Sequence, residues 1–438
     1  MTTETEKDKQ MRRLAKFIEE RDSYEAMAKA FGQSPSGTDK LYAPLTEAYV
    51  EQHNAVIRAV ENGDPFVASY YGCQPEIYVA MDLPWYTFLT PVFTNAMSPT
   101  LPEEIDATES LFGKDFCTAF RVAGYWVEKD LAPLPTAIIA MLHPCDASLA
   151  AHQLMQTNEI WRHVPMFGCD PPYWNDERSL DYYANETKLM ISFLEEHTGR
   201  KLDMDRLREV IEESNKMFKL WIEYNELRRA VPCPHGYGVG LQAFGVAMNI
   251  LVGNPKGTQW FTDLVEDAEM LVREGTGKVE NERVRIFWFD VVSLGLSLDL
   301  FPWLEQEYGA VVVMDMFGYT PYTLIDTTSE ETMLKGLGKR ALCDAPMMRQ
   351  ARGVADNWIG DIRQVVTDYK IDCVVWPGHM GHKDGSANIG MMREVCRELG
   401  VPFMNIGMDN FDERYTTTAE IKEMFSRFFD SMGLAKAG

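Results

Sequence analysis

The sequence predicts an α/β protein with two parallel-sheet domains, and two observations carry that reading. Short apolar runs of β-forming residues alternate with segments of helical periodicity. The alternation occurs twice, over about residues 64–185 and again from about 281, with a purely helical stretch between. The expected organisation is an N-terminal helical segment (1–63), a first α/β domain (64–185), a helical linker region (186–280) and a second α/β domain (281–438).

Residues 8–31 and 44–62 have helical patterns, separated by the breaker "PSG" at 35–37. "DPFVASYYG" (64–72) leaves a turn as the first strand, and "PEIYVAMDLPW" (75–85) opens as a helix on Pro75, where proline is tolerated. "PTAIIAML" (135–142) is a second buried strand running into "HPCDAS", and "HVPMFG" (163–168) is a third. In the linker, Gly199 stops one amphipathic helix and Asp203 starts the next, with Leu207, Val210, Ile211, Met217, Phe218 and Trp221 along its apolar face. "RVRIFWFDVV" (283–292), "GAVVVMDMF" (309–317), "IDCVVW" (371–376) and "PFMNIG" (402–407) supply the second set of strands. Between the last two, Ile389, Met392, Val395, Cys396 and Leu399 trace a helix face that Gly400 ends. No short-period repeat is present, although two α/β halves of similar layout suggest a distant duplication.

Composition narrows the function. A net charge of −24 argues against nucleic acid, whose binding needs a basic face, and against anionic lipid. No run reaches the ~18–20 apolar residues of a membrane span, and "MTTETEKDKQMRRLAKF" has no signal-peptide core, so a cytoplasmic location is expected. There thiols stay reduced, and the eight cysteines contain no C-x-x-C pair, so neither a disulfide framework nor a zinc ribbon is read from them. The glycine-rich "HGYGVGLQAFG" (235–245) lacks the preceding strand of a dinucleotide site and is better read as tight helix packing. No Walker sequence or G-x-S-x-G elbow occurs.

The chemistry-bearing residues cluster at loop–helix junctions. Cys145 lies in "HPCDAS" just past a buried strand, and Cys117, in "GKDFCTAFR", begins a helix. Both are places where a thiolate is stabilised by the helix N-terminus. "VVWPGHMGHKDGSANIG" (374–390) breaks from an apolar strand into His379, His382, Lys383 and Asp384, where open α/β sheets carry their active sites. Soft ligands converging from separate loops suit zinc or an iron–sulfur cluster, and spacing does not choose between them. Cys73 reads as a packed thiol.

Four stretches in order, "YYGCQPEIYVAMDLPWY", "DFCTAFRVAGY", "AIIAMLHPCDAS" and "HMGHKDGSANIGMMREVCRELGVPFMNIGMDNFDERY", resemble the 2-hydroxyacyl-CoA dehydratase and benzoyl-CoA reductase family, in particular its larger catalytic subunits. The resemblance runs from about residue 60 to the C-terminus. It implies two flavodoxin-like domains, a homologous second catalytic subunit, an acyl-CoA substrate and a separate ATP-hydrolysing iron–sulfur activator. It further implies a [4Fe-4S] cluster, with ligands at Cys117 and Cys145. The third cysteine is replaced: His382 stands where the family's "H-x-x-C-K" has its thiol. An imidazole makes a cluster less negative and raises its potential, against the needs of difficult reductions. His382 therefore reads as cluster ligand, as proton donor, or as the mark of a subunit without its own cluster.

Reduction of an aromatic acyl-CoA is the expected reaction, because ring reduction needs proton donors such as His382 and Lys383. Dehydration of a 2-hydroxyacyl-CoA is the alternative. Ser69 and Tyr71 fall in the stretch that the resemblance places against substrate. Two rivals remain: a zinc hydrolase using Cys117, Cys145 and His382, and a cluster-less supporting subunit.

Overall fold

The computed structural model describes residues 5–33, 39–70, 73–88, 100–291, 294–352 and 355–437. It contains two four-stranded, all-parallel sheets. In the first, β1 (Val67–Ser69), β2 (Trp85–Thr87), β3 (Ala137–Met141) and β4 (Met166–Cys169) lie in the order β2-β1-β3-β4. In the second, β5 (Val284–Trp288), β6 (Ala310–Asp315), β7 (Cys373–His379) and β8 (Phe403–Met408) lie in the order β6-β5-β7-β8. Relabelled from its own first strand, each sheet has the order 2-1-3-4, which is flavodoxin-like. Each therefore has a point where successive crossovers leave in opposite directions, between β1 and β3 and between β5 and β7. Crevices for ligands open there, past the carboxyl ends of the strands.

The strands are short, and their burial explains why they read as unbroken apolar runs: every residue of β1, β3, β5 and β6 is buried. In β5, Ile286 and Trp288 enter one core cluster while Phe287 and the following Phe289 enter the other, as the two-residue strand period requires. The first sheet shares a single apolar core with the N-terminal helices Glu6–Gly32 and Asp39–Asn62 and with the helices Glu177–Thr198, Met204–Leu227 and Pro255–Glu274.

Local signals work as expected in the linker. The Glu177–Thr198 helix ends on Gly199 at φ 69°, and Asp203 caps the next helix by accepting the N–H groups of Asp205 and Arg206. Gly400, at φ 73°, ends the Ile389–Leu399 helix in the same way. The glycine-rich segment 235–245 forms the short helix Val239–Gly245, and a Cβ on Gly240 would lie 2.5 Å from the Asp315 carboxylate, so close packing is its role. One expectation is corrected. The helix opening on Pro75 stops at Ala80, and Trp85–Thr87 is strand β2, too short to show a period of its own. The breaker at 35–37 falls outside the described residues. Among the described residues no helix is long and apolar enough to cross a membrane.

Candidate functional site

Five strand ends supply the site, the fifth being that of β8, whose loop carries Asp409 and Asn410. Ser69 and Tyr70 end β1, and the segment after β3 leads to Cys145. Asp290 follows β5, and β7 runs out through His379 to His382. The switch-point crevices of the two sheets thus contribute to one place.

Cys117 sits at the N-cap of the helix Thr118–Glu128 and is 4% exposed. Its Sγ lies 3.4 Å from His379 Nε2. His382 is also buried, and its Nδ1 is 2.8 Å from Asp290 Oδ1. His379 is fully buried; its Nδ1 lies 3.3 Å from the backbone nitrogen of Asn410 and 3.7 Å from Asp409 Oδ1. Asp409 in turn accepts the hydroxyl of Thr118 at 2.5 Å, which ties the β8 loop to the first turn of the Cys117 helix. Gly381 lets the β7 loop come this close, since a Cβ there would meet Cys117 Cα at 2.2 Å.

The electrostatics follow from this packing. Burial pushes the Cys117 thiol up, but His379 and His382 outweigh it and bring it down to about 6. Burial alone would lower both histidines. Asp409 and Cys117 hold His379 above its ordinary value, and Asp290 and Cys117 do the same, more strongly, for His382. Cys145 behaves oppositely: burial, then the charge of Cys117, raises its thiol. Its Sγ accepts the N–H of Ser148 at 3.2 Å, as the cap of the helix Asp146–Thr157.

The residues expected from the sequence are therefore brought together in part. Among the described residues, Cys117, His379 and His382 offer ligand atoms all within 4.8 Å of one another, and Cys145 stands outside that group. The expected set of Cys117, Cys145 and His382 is thus not the compact one. A four-iron cluster is held by cysteine thiolates, three of them in the pattern the resemblance implies. One thiol and two imidazoles this close together do not fit that group, although they fit a soft metal ion.

Lys383 is half-exposed, and its ammonium lies between Asp115 (2.7 Å) and Asp146 (2.6 Å), over the Phe116 ring. It braces the loops that carry Cys117, Cys145 and His382. The Ser69 hydroxyl is buried and committed to the Tyr70 carbonyl (2.9 Å) and the Tyr78 hydroxyl (3.1 Å). Tyr71 lies outside the described residues.

Its neighbour Tyr70, unremarked in the sequence, is buried, and its phenol is held protonated by burial and then by Cys145. The side-chain amide of Asn410 and Oδ2 of Asp290 are buried without hydrogen-bond partners. Asp290 and Asp409 share one signal that could have found them: each is the first acid after an apolar strand, in "RIFWFD" and "PFMNIGMD".

Two doubly wound parallel sheets, with a thiol and two imidazoles brought together past their strand ends, define an α/β protein of the flavodoxin-like class. The chain belongs to the family of the 2-hydroxyglutaryl-CoA dehydratase D-component, whose model matches residues 70–432. It is 22% identical over 315 residues to the alpha chain of the (R)-2-hydroxyglutaryl-CoA dehydratase of Acidaminococcus fermentans, covering 68% of this chain and 61% of that protein. It is 23% identical over 356 residues to one of the subunits of the benzoyl-CoA reductase of Thauera aromatica, covering 76% of this chain and 80% of that one.

Proposed function

We propose that this chain is one subunit of a two-subunit enzyme that reduces an aromatic acyl-CoA, with the acyl end bound in the crevice between the two sheets. One observation carries the reading: polar groups from five strand ends converge there, and the side-chain amide of Asn410 among them is buried without a partner. Buried polar groups are rarely left unpaired, and the carbonyl oxygen of a bound thioester would accept the Asn410 Nδ2–H. The benzoyl-CoA reductase relative, matched over most of both chains, supports the same substrate class.

In this reading the two electrons for the ring come from a low-potential iron–sulfur donor outside the Cys117 group, charged by an ATP-hydrolysing activator. This chain binds the thioester, excludes water and delivers protons. Two-electron reduction of the ring takes up two protons: Tyr70, whose buried hydroxyl stands protonated beside the site, donates one, and the second comes from solvent. Dehydration of a 2-hydroxyacyl-CoA is the second reading, favoured by the other relative.

The test is anaerobic turnover by the chain purified with its partner subunit, using a chemical low-potential reductant. Benzoyl-CoA should be consumed, and Tyr70→Phe should lower kcat by about 10²-fold or more with the fold intact. Consumption of a 2-hydroxyacyl-CoA instead would establish the second reading, and turnover of neither would reject both.

A further inference from the structure

We propose that Cys117, His379 and His382 bind a single divalent ion of zinc-like preference, and that Cys145 takes no part. Three observations carry this. The first is spacing. Ligand atoms on one tetrahedral zinc, with Zn–S of about 2.3 Å and Zn–N of about 2.0–2.1 Å, stand about 3.6 Å apart. Cys117 Sγ and His379 Nε2 are 3.4 Å apart, and the three ligand atoms lie within 4.8 Å of one another.

The second is the pair of buried aspartates behind the histidines. Asp290 Oδ1 is 2.8 Å from His382 Nδ1, and Asp409 Oδ1 is 3.7 Å from His379 Nδ1. Asp290 on Nδ1 of His382 sets that ring's tautomer and leaves its Nε2 for the metal, the usual outer arrangement of metal-binding histidines, whereas His379 Nδ1 accepts the backbone N–H of Asn410 with Asp409 close by. Both acids are fixed in place. Asp290 accepts the N–H of Val291 at 2.7 Å, and Asp409 accepts those of Phe411 and Asp412 at 2.8 and 3.1 Å. Loading the ion puts the Nδ1 proton of His379 toward Asp409, in place of the contact with the Asn410 amide.

The third is the unpaired Oδ2 of Asp290, on a residue that is fully buried. A buried carboxylate with one idle oxygen calls for positive charge beyond its single contact with His382. Three protein ligands would leave one tetrahedral position unfilled by the chain, the ligand count of catalytic zinc sites.

The inference is independent of the acyl-CoA reading, because occupancy is measured without substrate. The full chain is purified anaerobically and analysed for metals and acid-labile sulfide, then stripped and titrated with Zn²⁺ and with Co²⁺. One ion per chain without sulfide is expected, with a cobalt spectrum that is tetrahedral and carries a thiolate-to-cobalt band. Cys117→Ser should abolish that band. His379→Gln should lower zinc affinity by at least 10-fold, and Asp290→Asn by about 10–100-fold. Cys145→Ser should bind as the wild type does. Circular dichroism of each variant separates loss of a ligand from loss of the fold. Iron and sulfide in equal amounts, lost in Cys145→Ser but kept in His379→Gln, would overturn the proposal in favour of a cluster. So would a folded wild type that takes up neither ion.

Discussion

At the scale of single residues, burial turns side chains into instruments with a fixed setting. His152 is 1% exposed, and both of its ring nitrogens lack hydrogen-bond partners, so burial lowers its pKa to about 4. Its unfolded value is about 6.5. Between those values the unfolded chain binds the extra proton, so stability rises with pH; the contribution is complete above about 6.5 and is lost as pH falls toward 4. The loss amounts to at most about 3 kcal/mol. Urea unfolding measured from pH 7 to pH 4 should show a steeper acid loss for the wild type than for His152→Leu. Equal slopes would mean that His152 is not buried in the neutral form. The Arg340–Glu76 pair is the opposite case, a buried charge that is paired: the two are 2.9 Å apart, and the guanidinium also covers the Phe218 ring.

At the scale of elements, the backbone decides how close two loops can lie. Gly381 touches the Cys117 backbone so closely that any side chain would force the β7 loop away. Gly381→Ala is expected to cost about 1–3 kcal/mol through overpacking. It should also part Cys117 from His379 and His382, so that the thiol is alkylated faster, as read by mass spectrometry. Gly390→Ala, with open space around the added carbon, serves as the control and should leave the rate unchanged. Legibility in the sequence divides along the same line. Strands β1, β3 and β5–β7 were readable because burial on both faces makes continuous apolar runs, β8 because its buried residues alternate, and the linker helices because caps and periodicity agree. Strand β2 was not, because three residues carry no pattern. Cys117 and His382 were legible as junction residues. The pairing of His379 with Cys117, 262 positions apart, was not, because it depends on how the two sheets face each other.

At the scale of the whole molecule, charge and connectivity matter. The net charge of −24 makes the folded state repel itself, and salt screens that repulsion within about 10 Å at 0.1 M. Raising KCl from about 10 mM to 300 mM, across which the Debye length falls well below that of dilute buffer, should raise Tm. A lower Tm would mean that the ion pairs outweigh the net repulsion. Lys383 is an example on the other side: held between Asp115 and Asp146, it adds cohesion that salt weakens.

The sequence separation between Cys117 and His379 has a consequence in time as well as in space. A ribosome adding about 5–20 residues per second needs roughly 13–50 s to travel those 262 positions. Throughout that interval the first sheet can form, yet its key thiol waits without either imidazole. The site is thus finished only after His379 and His382 have been made, and until then Cys117 lacks the packing that later buries it.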